Sequence, residues 1–142
     1  MEQALQRFEG QVQLVYYPFV LNPTSDVATQ AALCAGEQGK FWEFHHMLYA
    51  RQATWRLLSD PLPRLMEFAN DLQLDTTALT RCVKSGRMRQ LLEADKAYGR
   101  SLQVQSTPTL FINSQRVVGA QSEADLVRTI RRELARAQQQ TQ

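Results

Sequence analysis

The feature that most constrains the fold of this chain is a proline-led apolar segment in its last third. Pro108 has no N–H to give to a sheet ladder and fixes its own φ, so it fits the first position of a strand and not the interior. In the residues that follow, Leu110 and Ile112 share one face of an extended chain, and Phe111 lies on the other. The segment therefore predicts a strand over 109–113.

A second strand follows after a short reversal and ends at a glycine, with Arg116, Val117 and Val118 before Gly119. The reversal contains Asn113-Ser114, where a two-residue hairpin favours Asn-Gly. Asparagine tolerates positive φ, whereas serine does so less readily. The sequence therefore predicts a β-hairpin and leaves open whether two or three residues connect its strands.

The rest of the chain predicts one more strand and mainly helices. Residues 1–9 have helical spacing up to Gly10, and residues 11–17 alternate and then run apolar, which predicts a strand that Pro18 ends. Ser25 or Asp26 is the expected cap of the first long helix. Apolar periodicity and turn residues predict six helices, at about 25–38, 40–52, 62–72, 77–85, 87–102 and 123–136. The predicted order is therefore a partial helix, a strand, about five helices, two strands and a final helix.

Size and charge exclude several classes of function. The chain has 142 residues and a formal charge of +2, which is too small to indicate nucleic-acid binding. No apolar run approaches the roughly 18 residues of a membrane span, and the residues after Met1 do not begin a signal peptide. The sequence contains no glycine-rich phosphate loop. We therefore expect no nucleic acid, no membrane span and no cofactor.

The only two cysteines, Cys34 and Cys82, are far apart, and neither belongs to a Cys-X-X-Cys pair. Read as residues alone, they allow a disulfide or two buried thiols. His45 and His46 are adjacent, and no cysteine or histidine lies two to five residues from either, so no metal site is predicted. No catalytic residue is predicted either, because a redox dithiol needs both sulfurs at one helix N-terminus.

Two stretches resemble a known family. Ser106-Thr107-Pro108-Thr109 and Phe111-Ile112-Asn113, with 118–121 after them, resemble the cis-proline loop and last hairpin of the DsbA-like thioredoxin-fold oxidoreductases. Residues 31–45 resemble the helical insertion of that family. The resemblance implies one α/β domain over 1–142 with a thioredoxin-like fold, which lacks the first strand and the start of the first helix. Its thioredoxin part would be 1–24 and 103–137, its helical insertion 25–102, and its polar tail 138–142.

The same resemblance implies a function, protein disulfide exchange. Ser106, Thr107 and Pro108 would bind the backbone of cysteine-containing protein or peptide substrates, and Cys34 and Cys82 would form a structural disulfide in an extracytoplasmic compartment. Because the Cys-X-X-Cys pair is missing, we expect no activity from this chain. A redox-dead module that binds a peptide or partner, and a truncated gene product, are the alternatives. The family's central strand is also missing, so unpaired strand edges are expected to promote self-association.

Overall fold

The computed structural model describes residues 1–140 and contains seven helices, one 3-10 turn and one hairpin. The described helices and strands are α1 Glu2–Gln6, α2 Pro23–Gly36, α3 Phe41–Ala50, the 3-10 turn Gln52–Thr54, α4 Leu62–Asp71, α5 Thr76–Lys84, α6 Arg87–Ser101, β1 Thr109–Ile112, β2 Gln115–Val118 and α7 Glu123–Gln140. The chain divides into two compact units. The first is Met1–Tyr16 with Leu102–Gln142, and the second is Tyr17–Ser101.

The second unit is a helical assembly whose first helix begins earlier than predicted. The Asn22 side chain accepts a hydrogen bond from the Ser25 N–H at 2.8 Å, and Pro23 occupies the first turn. The prediction of Ser25 or Asp26 as cap was therefore wrong. Asn22-Pro23 supplies both the capping oxygen and a residue whose fixed φ already suits a helix.

The core of the second unit forms where α2 packs against its neighbours. α2 presents four buried alanines, Ala28, Ala31, Ala32 and Ala35, which allow close approach of other helices. Large side chains fill the space around them, with Phe44 from α3, Leu65 and Phe68 from α4, and Leu79 from α5 all fully buried. Burial of such side chains contributes about 1.5–3 kcal/mol each relative to exposure, so this core is the main source of the unit's stability.

The first unit contains the hairpin, packed against two helices. Strands β1 and β2 are antiparallel and are joined by a two-residue turn, with Ile112 opposite Gln115. Asn113 adopts a φ of 52°, which asparagine tolerates better than most residues. Leu110 and Ile112 pack against a cluster formed by α1 and α7, with Phe8 just after α1. The cluster consists of the buried side chains Ala4, Phe8, Leu126, Val127 and Ile130.

The strand predicted over residues 11–17 does not form. Residues 12–20 have no regular secondary structure, and β1 pairs with β2 in a two-stranded sheet. A strand persists only when its N–H and C=O groups find a neighbouring strand. In the described part of the chain this segment has none, and Val15 stays 60% exposed. The strand prediction for residues 11–17 was therefore wrong, because an alternating pattern does not specify a neighbouring strand.

Two further boundaries differ from prediction. α7 continues to Gln140, so residues 138–140 belong to a helix and not to the expected polar tail, while 141 and 142 lie outside the described residues. α3 ends at Ala50 and is followed by the 3-10 turn, where the sequence predicted one helix to residue 52. Within residues 1–140, no helix combines the length and apolar character needed to cross a bilayer.

Candidate functional site

The predicted substrate loop is an exposed turn that leads into β1. Ser106, Thr107 and Pro108 are all exposed, and the Thr107–Pro108 peptide bond is cis. The Thr109 hydroxyl donates to the Ser106 carbonyl at 2.7 Å and closes the turn from within. The Pro108 carbonyl accepts from the Gly119 N–H at 2.8 Å. The loop is therefore held at its start by a side chain and at its end by the hairpin.

Thr107 has its backbone polar groups available. Among the described residues, neither its N–H nor its C=O forms a hydrogen bond, although the carbonyls on both sides of it are used. A backbone donor and acceptor on one exposed residue can pair with an extended peptide, as the edge of a sheet does. The sequence predicted this residue only through the family resemblance.

Arg116 in β2 contacts the segment that precedes the loop, and no pattern in the sequence indicates this role. Its guanidinium donates to the carbonyl of Leu102 at 3.3 Å and to that of Gln103, the two residues that follow α6. The same group lies over the Phe111 ring, 5.9 Å from its centre. Its Nε atom is buried and has no partner among the described residues. Arg116 thus anchors the segment that enters the loop.

Cys34 and Cys82 form a disulfide that links α2 to α5 in the second unit. Both residues are buried, at 1% and 5% exposure. The sequence contains only these two cysteines, so the chain carries no free thiol. The predicted site residues therefore fall into two groups in different units, a contiguous loop and a covalent cross-link.

The aromatic and histidine residues of α3 do not form a metal site. No group of three or more metal-ligating side chains occurs in the described part of the chain. The ring of His45 stacks on Phe41 with centres 5.5 Å apart, and it lies 5.0 Å from that of Tyr49. Phe44 is fully buried in the core, whereas Tyr49 is 66% exposed. A backbone hydrogen bond and the Lys40 ammonium, 3.0 Å away, lower the pKa of nearby Glu43.

The fold and the comparisons with known proteins show which protein family the chain belongs to. A family model described as Thioredoxin matches residues 2–132, so the chain belongs to the thioredoxin family. The predominance of helices with a small two-stranded sheet fits an α/β thioredoxin-like fold, which confirms the prediction at that level.

Among individual proteins, the chain is similar to two bacterial antiporters. It is 32% identical over 100 residues to Na(+)/H(+) antiporter NhaA 1 of Salinispora arenicola (strain CNS-205), covering 70% of this chain and 15% of the antiporter. It is 31% identical over 96 residues to Na(+)/H(+) antiporter NhaA 3 of Salinispora tropica, covering 68% and 14%. The similarity thus spans a small part of these longer proteins. No solved structure matches with comparable significance.

Proposed function

We propose that this chain is a DsbA-like thiol:disulfide oxidoreductase domain that binds substrate but cannot exchange disulfides by itself. Membership of the thioredoxin family supports the class. The observation that carries the proposal is the exposed loop at Ser106–Pro108, in which the Thr107 N–H and C=O have no partner among the described residues. In the family's role for this loop, those two groups pair with the backbone of a cysteine-containing polypeptide.

The chemistry of exchange explains why the chain alone is inactive. A thiolate attacks one sulfur of a disulfide, forms a new S–S bond and releases the other sulfur as a thiolate. A second cysteine then resolves the mixed disulfide. Here both sulfurs are joined to each other and buried, so no thiolate is available to begin the reaction. The chain's own contribution is to hold the substrate backbone.

As part of this proposal, we place the chain in an extracytoplasmic compartment. Structural disulfides persist in oxidising compartments and are rare where thiols are kept reduced. Acid quenching of intact cells, followed by alkylation of the denatured protein, checks this point, and we expect neither cysteine to be modified. Alkylation of Cys34 and Cys82 under these conditions would place the chain in a reducing compartment instead.

A redox-inactive module that binds a peptide or protein partner is the second candidate. The absence of a free thiol favours it, since such a module needs the loop but no reactive sulfur. The two candidates differ in what they require of a ligand. The oxidoreductase domain should prefer segments that surround a cysteine, whereas the module should bind a serine-substituted segment equally well.

Two measurements on the purified chain test the proposal. In insulin-reduction and dithiol-oxidation assays we expect no turnover above that of the Cys34→Ala/Cys82→Ala variant. Turnover above this control would show that the buried disulfide is catalytic and would contradict the assigned role. In NMR titrations with reduced insulin B chain, we expect the largest amide shifts at Ser106 and Thr107. Binding without shifts there would show that the loop is not the binding site.

A further inference from the structure

The segment that leads from α6 into the predicted substrate loop has few hydrogen bonds of its own. In residues 103–107 no backbone N–H donates to another described residue. Two carbonyls of this segment, those of Gln103 and Ser106, accept hydrogen bonds, and both bonds come from side chains of the β-hairpin. A helix or a sheet would fix such a segment through backbone pairing. Here the donors that hold it are the side chains of Thr109 and Arg116.

Arg116 holds the start of this segment to β2. Its guanidinium donates to the Leu102 carbonyl at 3.3 Å and also to the Gln103 carbonyl. Arg116 lies directly opposite Phe111 in the hairpin, so the two side chains share one face of the sheet. The centre of the Phe111 ring is 5.9 Å from the guanidinium carbon, a distance at which a cation and an aromatic ring attract each other. These contacts fix the guanidinium relative to the strands.

Thr109 holds the end of the segment to β1. Its hydroxyl donates to the Ser106 carbonyl at 2.7 Å, so the donor and the acceptor lie on either side of Thr107 and Pro108. The backbone of Thr109 is part of the hairpin, where it lies opposite Val118. A β-branched side chain has few rotamers, so the direction of the hydroxyl is restricted. The carbonyl just before Thr107 is therefore tied to the strand that begins just after Pro108.

We propose that Thr109 and Arg116 are positioning residues, which hold the N–H and C=O of Thr107 where the backbone of a bound peptide pairs with them. This inference rests on the proposed function, and it adds two residues that act through the loop and not on the peptide. A peptide that must order a mobile loop loses affinity, because the loop gives up conformational freedom on binding. A loop that the hairpin already holds binds without this loss.

Two variants of Thr109 test the role of its hydroxyl. Thr109→Val removes the hydroxyl and keeps a β-branched side chain, which suits a strand equally well. Thr109→Ser keeps the hydroxyl. By NMR titration with reduced insulin B chain, we expect Thr109→Val to bind about fivefold more weakly than the unmodified chain, and Thr109→Ser to bind within about twofold of it. Urea unfolding checks that each variant is folded under the conditions of the titration.

Thr129→Val in α7 is the matched control. It also removes a threonine hydroxyl that donates to a backbone carbonyl, that of Asp125 at 2.9 Å. The control should bind reduced insulin B chain as the unmodified chain does, because this hydroxyl bonds within α7 and not to the loop. Equally weak binding by Thr129→Val and Thr109→Val would show that loss of either hydroxyl has the same effect, and would overturn the proposal. So would binding by Thr109→Val as tight as that of the unmodified chain.

Backbone order in the free chain gives a second measurement, which needs no peptide. Amide order parameters from NMR relaxation should be about 0.8 at Ser106 and Thr107 in the unmodified chain and in Thr109→Ser, and below about 0.6 in Thr109→Val. Arg116→Lys should lower the order parameters at residues 103–105 instead, because an ammonium reaches two carbonyls less well than a guanidinium does. Unchanged order in either variant would overturn the proposal for that residue.

The two measurements distinguish a failure of this inference from a failure of the proposed function. If the unmodified chain binds the insulin B chain at Ser106 and Thr107, and Thr109→Val binds it equally well, the positioning role is wrong and the proposed function stands. If the unmodified chain does not bind it, or binds it elsewhere, the proposed function is wrong and the positioning of a peptide is wrong with it. Weaker binding and lower order in Thr109→Val, both restored in Thr109→Ser, would support the proposal.

Discussion

At the scale of single residues, Arg116 joins two parts of the first unit that the hairpin alone does not connect. Its guanidinium binds the carbonyls of Leu102 and Gln103, and Gln103 adopts a φ of 59°. Positive φ lies outside the right-handed helical region, so the helical path of α6 does not continue through Gln103. The planar fork of arginine reaches two carbonyls at once, which the single ammonium of lysine cannot do as well.

Replacing Arg116 should therefore destabilise the chain even by lysine. We expect Arg116→Lys to lower the free energy of unfolding by about 1 kcal/mol and Arg116→Ala by somewhat more, since both carbonyls lose a charged donor. Urea unfolding measures the change. Arg128→Ala is the matched control and should cost less than about 0.5 kcal/mol, because among the described residues the exposed Arg128 side chain pairs with the partly exposed Asp125. Equal losses in the free energy of unfolding at both positions would show that the hydrogen bonds from the Arg116 guanidinium to two carbonyls do not stabilise the chain.

Asp95 in α6 makes the stability of the folded chain depend on pH in a direction that can be predicted. Desolvation by burial raises the pKa of Asp95 above its ordinary value. The folded chain therefore binds this proton more tightly than the unfolded chain. Stability from this group is full below the unfolded pKa of about 3.9 and is lost as pH rises through the folded pKa.

Asp95→Asn should accordingly stabilise the chain at pH 7 and have no such effect near pH 3. Partial exposure limits the gain to less than about 0.5 kcal/mol. Thermal unfolding at the two pH values measures it. Glu93→Gln, at an exposed position of the same helix, serves as control and should change stability equally little at both. If Asp95→Asn stabilised the chain as much at pH 3 as at pH 7, the raised pKa of Asp95 would not be the cause of the gain in stability.

The residues of the candidate site differ in how far the sequence could predict them. Pro108 and the alternating apolar residues after it form a local pattern, so the turn into a strand could be predicted from the sequence. The role of Thr107 rests on the resemblance, because no local pattern shows which backbone groups lack partners. Arg116 could not be predicted, since its acceptors are carbonyls 13 and 14 residues away and leave no signal in residue type.

At the scale of elements, helices of the second unit were predictable and the strand at residues 11–17 was not. A helix satisfies its backbone within itself, so periodicity and caps define it, as Asp75 does by accepting from the Ala78 N–H at 2.9 Å. A strand depends on a partner that its own residues do not specify. The alternation at 11–17 indicated propensity, and the outcome was decided by whether another strand lies beside it.

Helix packing in the second unit yields a prediction with an internal control. Leu65 in α4 is fully buried, and Leu57 in the preceding connection is 84% exposed. Leu65→Ala removes packed methyl groups and leaves a cavity, and should lower the free energy of unfolding by about 2–5 kcal/mol. Leu57→Ala makes the same chemical change at the surface and should cost less than about 0.5 kcal/mol. Denaturant unfolding measures both changes. Similar losses in the free energy of unfolding for the two variants would contradict the burial of Leu65 in the core.

At the scale of the whole molecule, the disulfide belongs to one compact unit. Cys34 and Cys82 are separated by 48 positions, and both lie in Tyr17–Ser101. A cross-link of this length restricts the unfolded chain and contributes about 4 kcal/mol on the chain-entropy estimate. Comparing oxidised and reduced protein isolates this contribution, because every side chain is otherwise the same. We expect reduction to lower the free energy of unfolding of the second unit by about 2–4 kcal/mol.

Hydrogen exchange shows which part of the chain loses stability when the disulfide is reduced. If the two units open separately, reduction should speed exchange in α2 and α5 and leave α7 and the β-hairpin unchanged, since protection reports the local opening energy of each region. Cys34→Ala/Cys82→Ala should reproduce the pattern without reductant, apart from a small packing loss at the two buried sulfurs. Equal acceleration in both units would show that the chain unfolds as one cooperative body. The disulfide would then stabilise the hairpin and its loop as well, although no cysteine lies in their unit.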